Sequence, residues 1–416
     1  MRFSALRVVK EALTGHKGWG PLWRDPDPKP AYDFVIIGGG GHGLAAAYHL
    51  AKTYQKANIA VLEKGWLGSG NIGRNTTIIR SNFLLPGNQP FYELSMQLWE
   101  NQEQDLNFNS MVSQRSIINL FHTDAQHDAF RRRGNTMQLS GAGGDLLSHE
   151  ELRKIAPFLN FDNARFPIKG GLRQLRAGTA RHDGVAWGYA RAADQLGVDI
   201  IQNCEVTGFR IKNGRVLGVD TSRGYIGAGK VGATVAGSSS RLMTLAGLRL
   251  PIETHVLQAF VSEGLKPTIP GVITFGAGHF YVSQSDKGGL VFGGDLDGYN
   301  SYAQRGNLPV FEDVLEGGMA VMPMIGRARL LRSWGGQMDM SMDGSPIIDR
   351  TSVEGLYFNG GWCYGGFKAV PAAGLCFAHL LATDTPHEVA TGYRFDRFNR
   401  GYIIDEKGVG AQPNLH

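Results

Sequence analysis

Three glycines and one acid carry the first chemical signal in this chain. Gly38-x-Gly40-x-x-Gly43 stands between a β-branched run, YDFVII (32–37), and a small-residue run, LAAAYHLAKTY (44–54). Glu63 follows twenty residues after Gly43. Gly38 permits a tight turn, Gly40 lets the backbone approach a pyrophosphate, and Gly43 lets helix and strand pack closely. The helix then aims its first N–H groups at the phosphates, and the acid accepts from ribose hydroxyls. GxGxxG alone is a weak signal. Here strand, turn, helix, strand and acid all fall at the required spacing, so a dinucleotide site is expected; the motif leaves FAD and NAD both open.

Other chemistries find no support. HxxxH, GxSxG and GxxxxGK[ST] spacings and paired catalytic carboxylates are absent in any supporting context. Cys204, Cys363 and Cys376 form no CxxC pair and no disulfide framework, which fits a reducing compartment. Asp339 and Asp343 read as structural, and Met338, Met340 and Met342 as one face of a strand.

The 416 residues exceed one typical domain, and 42% hydrophobic with 19% charged residues is ordinary globular composition. A formal charge of +5 is mild at this length and does not imply nucleic acid. The 58 glycines, against 17 prolines, point to many tight turns and close backbone approaches. The opening MRFSALRVVKEALTGHKGWG has no apolar core of a secretory signal, and the longest apolar stretch, 370–382, is too short to span a bilayer. A soluble cytoplasmic protein is expected.

The elements that must position the glycines are a strand at 32–37, a helix at 44–54 and a strand at 58–63. Further on come a helix at 183–196, a strand from 199, and a hairpin over 212–225 around Asn213–Gly214. A strand at 231–236 follows. The chain closes with a strand at 356–359, a Gly turn at 360–366 and a helix at 371–385. The nucleotide-binding pieces thus lie at the start, middle and end of the chain. The fold expected is α/β: a discontinuous Rossmann-type domain (30–85, 165–248 and 336–400) with an interleaved, mostly antiparallel β-sheet substrate domain (86–164 and 249–335). Residues 1–29, with Arg2, Arg7, Lys10, Lys17, Trp19 and Trp23, read as an arm that contacts a partner, and 401–416 as a tail.

The Gly-rich segment 64–82, KGWLGSGNIGRNTTIIRSN, decides between the two dinucleotides. It resembles the glycine-oxidase and sarcosine-oxidase group of FAD-dependent amine oxidoreductases, of the D-amino-acid-oxidase fold family. RHDGVAWGYARAADQLGVDIIQNCEVTG, LRSWGGQMDMSMDGSPIID and NGGWCYGGFKAVPAAG are closely similar to the β subunits of the heterotetrameric sarcosine oxidases, over 15–405. That resemblance implies FAD contacts at Gly38, Gly40, Gly41, His42, Gly43 and Glu63. It implies Asn71, Thr76 and Thr77 beside the flavin and Val206 at the adenine. Gly360, Gly361, Gly365 and Gly366 would bring a turn to the isoalloxazine edge. Arg80 and Lys368 match the cations that clamp the substrate carboxylate, and Lys368 also matches a contact to a second flavin. An amino-acid anion entering a buried site needs such paired donors. His182 matches the histidine that carries covalent FMN.

Two departures matter. Single-chain relatives tether FAD through a cysteine where this chain has Gly336, so FAD is expected to be non-covalent. Their oxygen-activating lysine has no clear counterpart in FGGDLDGYN (292–300), which suits delivery of electrons to FMN. The function implied is oxidation of sarcosine at FAD, with electrons passing through FMN to O2. H2O2, glycine and formaldehyde or a methylenetetrahydrofolate would result. Partners implied are α, γ and δ subunits, with NAD and tetrahydrofolate only on a partner. The alternatives are a single-flavin dehydrogenase for a D-amino acid or hydroxyproline, and a non-catalytic flavoprotein subunit.

Overall fold

A computed structural model describes residues 5–17, 20–54, 57–162 and 165–406. Arg2 and Trp19 of the expected arm lie outside them. The apolar run 32–37 becomes the strand Ala31–Ile37, central in an eight-stranded sheet. It pairs in parallel with Gly224–Ala233 on one side and Ile59–Leu62 on the other, and Asp199–Ile201 extends the sheet beyond Ile59–Leu62. Leu356–Gly360 pairs in parallel with the far end of Gly224–Ala233. Strands buried on both faces must be apolar throughout, which explains why IAVL (59–62) shows no alternation.

Val35 and Ile37 face one core with Val219, Ile226 and Met243. Ile36 faces the other, among Leu44, Trp99, Val185 and Phe377 from four helices, Gly41–Thr53, Gln89–Leu106, His182–Gln195 and Gly366–Thr383. The expected hairpin is present: Val206–Lys212 turns into Arg215–Thr221 through Asn213 (φ +51°) and Gly214 (φ +77°), the two positive φ values of a type I′ turn.

A second eight-stranded sheet carries the long pair Ile252–Gly264 and Leu330–Ser341 at one edge. It is antiparallel except where Val272–Phe275 runs parallel to Ile117–Phe121. Its core packs under the helix Leu308–Val321. Its membership departs from the expected boundaries: Gly170–Gln174 belongs to this sheet, and Leu330–Ser341 crosses residue 335. Hydrogen-bond partners, invisible in local pattern, set those edges.

The helix expected at 371–385 also differs. It runs Gly366–Thr383, five residues earlier than expected, with Pro371 in its second turn. Pro371 cannot donate to the Phe367 carbonyl, so proline marks no start here. This extension carries Lys368 into the helix's first turn. With the turn before it, the stretch 363–383 is long and apolar enough to cross a membrane, yet 78% of its apolar window is buried within the fold. It is the core helix on which Gly41–Thr53 packs: a Cβ on Gly374 would lie 2.4 Å from that of Ala45. The arm's Trp23 is half-buried against the same core, while Arg24 and Lys29 pair with Asp194 and Asp199, both at 2.7 Å.

Candidate active site

The glycine turn closes tightly. Gly38 adopts φ +106°, and a Cβ there would sit 2.5 Å from the Thr234 carbonyl oxygen. A Cβ on Gly43 would lie 2.0 Å from the Gly38 oxygen, the close approach of helix to strand that the spacing implied. Gly40 is the N-cap of Gly41–Thr53 and offers no side-chain cap, so the first-turn N–H groups remain open to a ligand. A Cβ on Gly40 would meet nothing within 4 Å. The empty space lies where a pyrophosphate would approach. Glu63 is held by the turn itself, accepting the Gly39 and Gly65 N–H groups at 2.9 Å each.

One cavity of about 1120 Å³ opens from this turn. That is just above the usual span of small-molecule sites, roughly 300–1,000 Å³, and suits a dinucleotide with a small substrate. Gly38, Gly40, Gly41, His42, Glu63, Asn71, Thr76, Arg80, Val206, Gly366 and Lys368 lie on its wall. Pieces far apart in sequence therefore converge on one site. His42 ties two of them together: its Nε2 lies 2.8 Å from the Gly366 carbonyl and its ring meets Trp362 edge-on at 4.6 Å. Burial holds its pKa below the usual value, favouring the neutral ring. Asn71 braces the wall, accepting the Gln337 N–H at 3.0 Å and donating to the Gln337 carbonyl.

Arg80 and Lys368 share the cavity. Arg80 donates to Asn82 Oδ1 at 2.6 Å, and its guanidinium lies 4.6 Å from the Phe83 ring centre. Burial, with Arg133 nearby, pulls its pKa down to about 10. Lys368 is 6% exposed and donates to the Tyr364 carbonyl. Burial, then Arg80, hold its pKa well below the usual lysine value. No ion pair is formed by either cation within the described residues.

Other expected residues stand off the wall. Gly43 lies behind the turn. Thr77, at φ +71°, donates its N–H to Asn75 Oδ1 at 2.7 Å. Gly360 and Gly365 are packing glycines: a Cβ would meet the Phe358 ring at 2.5 Å and the Tyr92 hydroxyl at 2.1 Å. Gly361 takes φ +72°, a turn requirement. Only Gly366 of that quartet reaches the cavity, because Trp362, Cys363 and Tyr364 supply the surface between them. His182 opens its helix beside the Arg181–Asp183 ion pair, off the cavity, with its pKa lowered by burial.

The structure also shows where residues outside the expected site lie. Asp339, read as structural, is 4% exposed, lies on the wall, and accepts the Gly361 N–H at 2.6 Å. Burial pushes its carboxyl up to about 6. Asp343 is structural as read, in a buried pair with Arg397 at 2.8 Å. The methionine face divides, with Met338 on the cavity wall and Met342 77% exposed. Arg133 reaches the wall from Asp124–Leu139; the sequence reading did not single it out from RRR (131–133). Gly336 lies on the wall beside Asn71, with no thiol at that point; Cys204 and Cys363 line the wall elsewhere.

Comparison with known proteins agrees with this geometry. Residues 33–380 match the family model DAO, FAD dependent oxidoreductase. The chain belongs to this FAD dependent oxidoreductase family. Within the family it is 69% identical to sarcosine oxidase subunit beta of Rhizobium meliloti (strain 1021), over 100% of both chains. It is 47% identical to the subunit beta of Rhodobacter capsulatus, covering 97% of this chain and 98% of that one. Among solved structures, L-proline dehydrogenase from P. horikoshii superposes with a TM-score of 0.84 at 26% identity, over 91% of this chain and 100% of that one. The FAD dependent oxidoreductase fold accounts for both the mixed sheet under the glycine turn and the mostly antiparallel sheet beyond it.

Proposed function

We propose that this chain is the catalytic β subunit of a sarcosine oxidase, oxidising the C–N bond of sarcosine or a related secondary amino acid. The observation that carries the reading is a pair of cations, Arg80 and Lys368, unpaired within the described residues on the wall of the cavity that opens from the dinucleotide turn. A buried cation pair without a carboxylate calls for an anion from outside, and an amino acid brings one. The names of the full-length relatives point to the same substrate.

Gly38–Gly43, Glu63, Asn71 and Thr76 would hold FAD without a covalent bond, and the uncapped helix N-terminus would take its pyrophosphate. When bound, FAD supplies a two-electron acceptor for the substrate's hydride. The chain's own part is orientation: Arg80 offers a two-pronged grip on the carboxylate and Lys368 a compact donor. The amine must be neutral to release a hydride, so turnover should rise with pH. The product imine would hydrolyse to glycine and formaldehyde, or yield its one-carbon unit to tetrahydrofolate on a partner.

In the same reading His182 carries FMN. Burial keeps its imidazole neutral, leaving a nitrogen lone pair for a covalent bond, and its position off the FAD cavity suits a second flavin completed by another subunit. FMN would supply the exit for electrons to O2, giving H2O2. The α, γ and δ partners, NAD on a partner and a cytoplasmic setting belong to this proposal.

Mixing the assembled enzyme with sarcosine without oxygen should bleach the flavin absorbance near stoichiometrically. Absence of bleaching would sink the substrate. The L-proline dehydrogenase likeness favours one rival, a single-flavin dehydrogenase of cyclic secondary amino acids. Bleaching by L-proline alone, with no acid-stable flavin on the chain, would favour that rival.

A further inference from the structure

The segment 402–406, read from sequence as a plain tail, reaches the substrate end of the cavity from behind. Ile404 anchors it, donating its N–H to Asp343 Oδ2 at 3.0 Å and accepting from Ser345 Oγ at 2.6 Å. Glu406 then accepts the N–H groups of Leu85 at 2.8 Å and Leu84 at 3.0 Å, a few residues past Arg80. Its Oε2 lies 3.6 Å from Arg133 Nη2. Arg133 is on the cavity wall and electrostatically coupled to Arg80, which is coupled in turn to Lys368. Glu406 is not on the wall.

Arg80 thus stands between two like charges, Arg133 and Lys368, at one substrate site, and the Glu406 carboxylate, fixed behind the wall, pairs with Arg133 and also attracts Arg80. We infer that Glu406 is a specificity-determining residue: by pairing with Arg133 it leaves Arg80 and Lys368 as the two cations that together grip one carboxylate, and so disfavours secondary amines bearing two carboxylates. This rests on Arg80 and Lys368 as the substrate clamp. Without Glu406, Arg133 becomes an uncompensated cation at the same wall, able to attract a second carboxylate. With Glu406 but without Arg133, a fixed negative charge weakens the clamp for any anion.

The assembled holoenzyme carrying Glu406→Gln tests this. The substrates are sarcosine and iminodiacetate, which is sarcosine with a carboxymethyl group in place of methyl. The ratio of kcat/KM should move about tenfold toward the dianion, the scale of one unit charge at a partly buried site. Glu406→Asp, which keeps the charge, should stay near wild type, and Arg133→Met added to Glu406→Gln should cancel the shift. A merely structural role would lower both substrates together. Sarcosine turnover with an unchanged ratio, or a shift that persists without Arg133, overturns the proposal. Malonate and acetate, titrated by their perturbation of the flavin spectrum, read the same mask without turnover, so a wild type inert to sarcosine refutes the substrate and not the mask. Should Glu406→Gln prove insoluble, Arg133→Met alone decides: KM for sarcosine should rise about tenfold at unchanged FAD content, and an unchanged KM overturns the proposal.

Discussion

Arg80→Ala is the most direct probe of the clamp. The guanidinium is seated between Asn82 Oδ1 at 2.6 Å and the Phe83 ring at 4.6 Å, and it makes no ion pair within the described residues. Its removal therefore takes away a preorganised donor fork and orphans no carboxylate. Truncating one partner of a buried charge pair costs about 2–5 kcal/mol, or roughly 30- to several thousand-fold in binding. The lower end fits best, because Lys368 still faces the substrate and is relieved of Arg80's repulsion. Two measurements separate the clamp from general damage: kcat/KM for sarcosine, and the flavin-to-protein ratio by absorbance. The first should fall at least about thirtyfold, mostly in KM, while the second stays near wild type. Added guanidinium should recover part of the loss by entering the space over Phe83. An unchanged kcat/KM would remove Arg80 from the substrate site.

Three further outcomes follow from named contacts. Gly40→Ala, whose Cβ meets nothing, should leave apoprotein stability at wild type yet lose FAD, whereas Gly43→Ala, 2.0 Å from the Gly38 oxygen, should cost about 1–3 kcal/mol in stability as well; equal melting temperatures for the two apoproteins would contradict this. Asp339 titrates near 3.9 when unfolded and, raised by burial, at about 6 when folded. A raised carboxyl contributes fully below the unfolded pKa and loses that contribution as pH rises through 6. Asp339→Asn should thus gain about 3 kcal/mol at pH 8 and almost nothing at pH 4, and thermal melts showing the same gain at both pH values would refute the assignment. His182→Ala should abolish acid-stable flavin and its mass adduct while FAD stays bound; a mutant that keeps acid-stable flavin would place the link elsewhere.

Much of this protein is legible in one dimension, because its first signal is local. A strand, a turn that only glycine can make, and a helix N-terminus must be contiguous to bind a pyrophosphate, so 31–63 announces itself. The same holds for Asn213–Gly214, whose paired positive φ values demand those residue types. Strings around Arg80, His182 and Lys368 carried a resemblance, and with it a candidate chemistry. The tertiary structure decided what no local pattern encodes. Whether Gly170–Gln174 joins one sheet or another depends on partners fifty residues upstream. Gly360 and Gly365 look like Gly366, yet only packing against Phe358 and Tyr92 reveals that they serve the core and not the cavity. Arg133 sits in an arginine run that the sequence reading did not single out, and Asp339 in a strand that reads as structural; only the fold puts both on the cavity wall, because burial is a property of surroundings. Glu406 lies more than 270 residues from Arg133, and only the folded chain brings that carboxylate to that guanidinium.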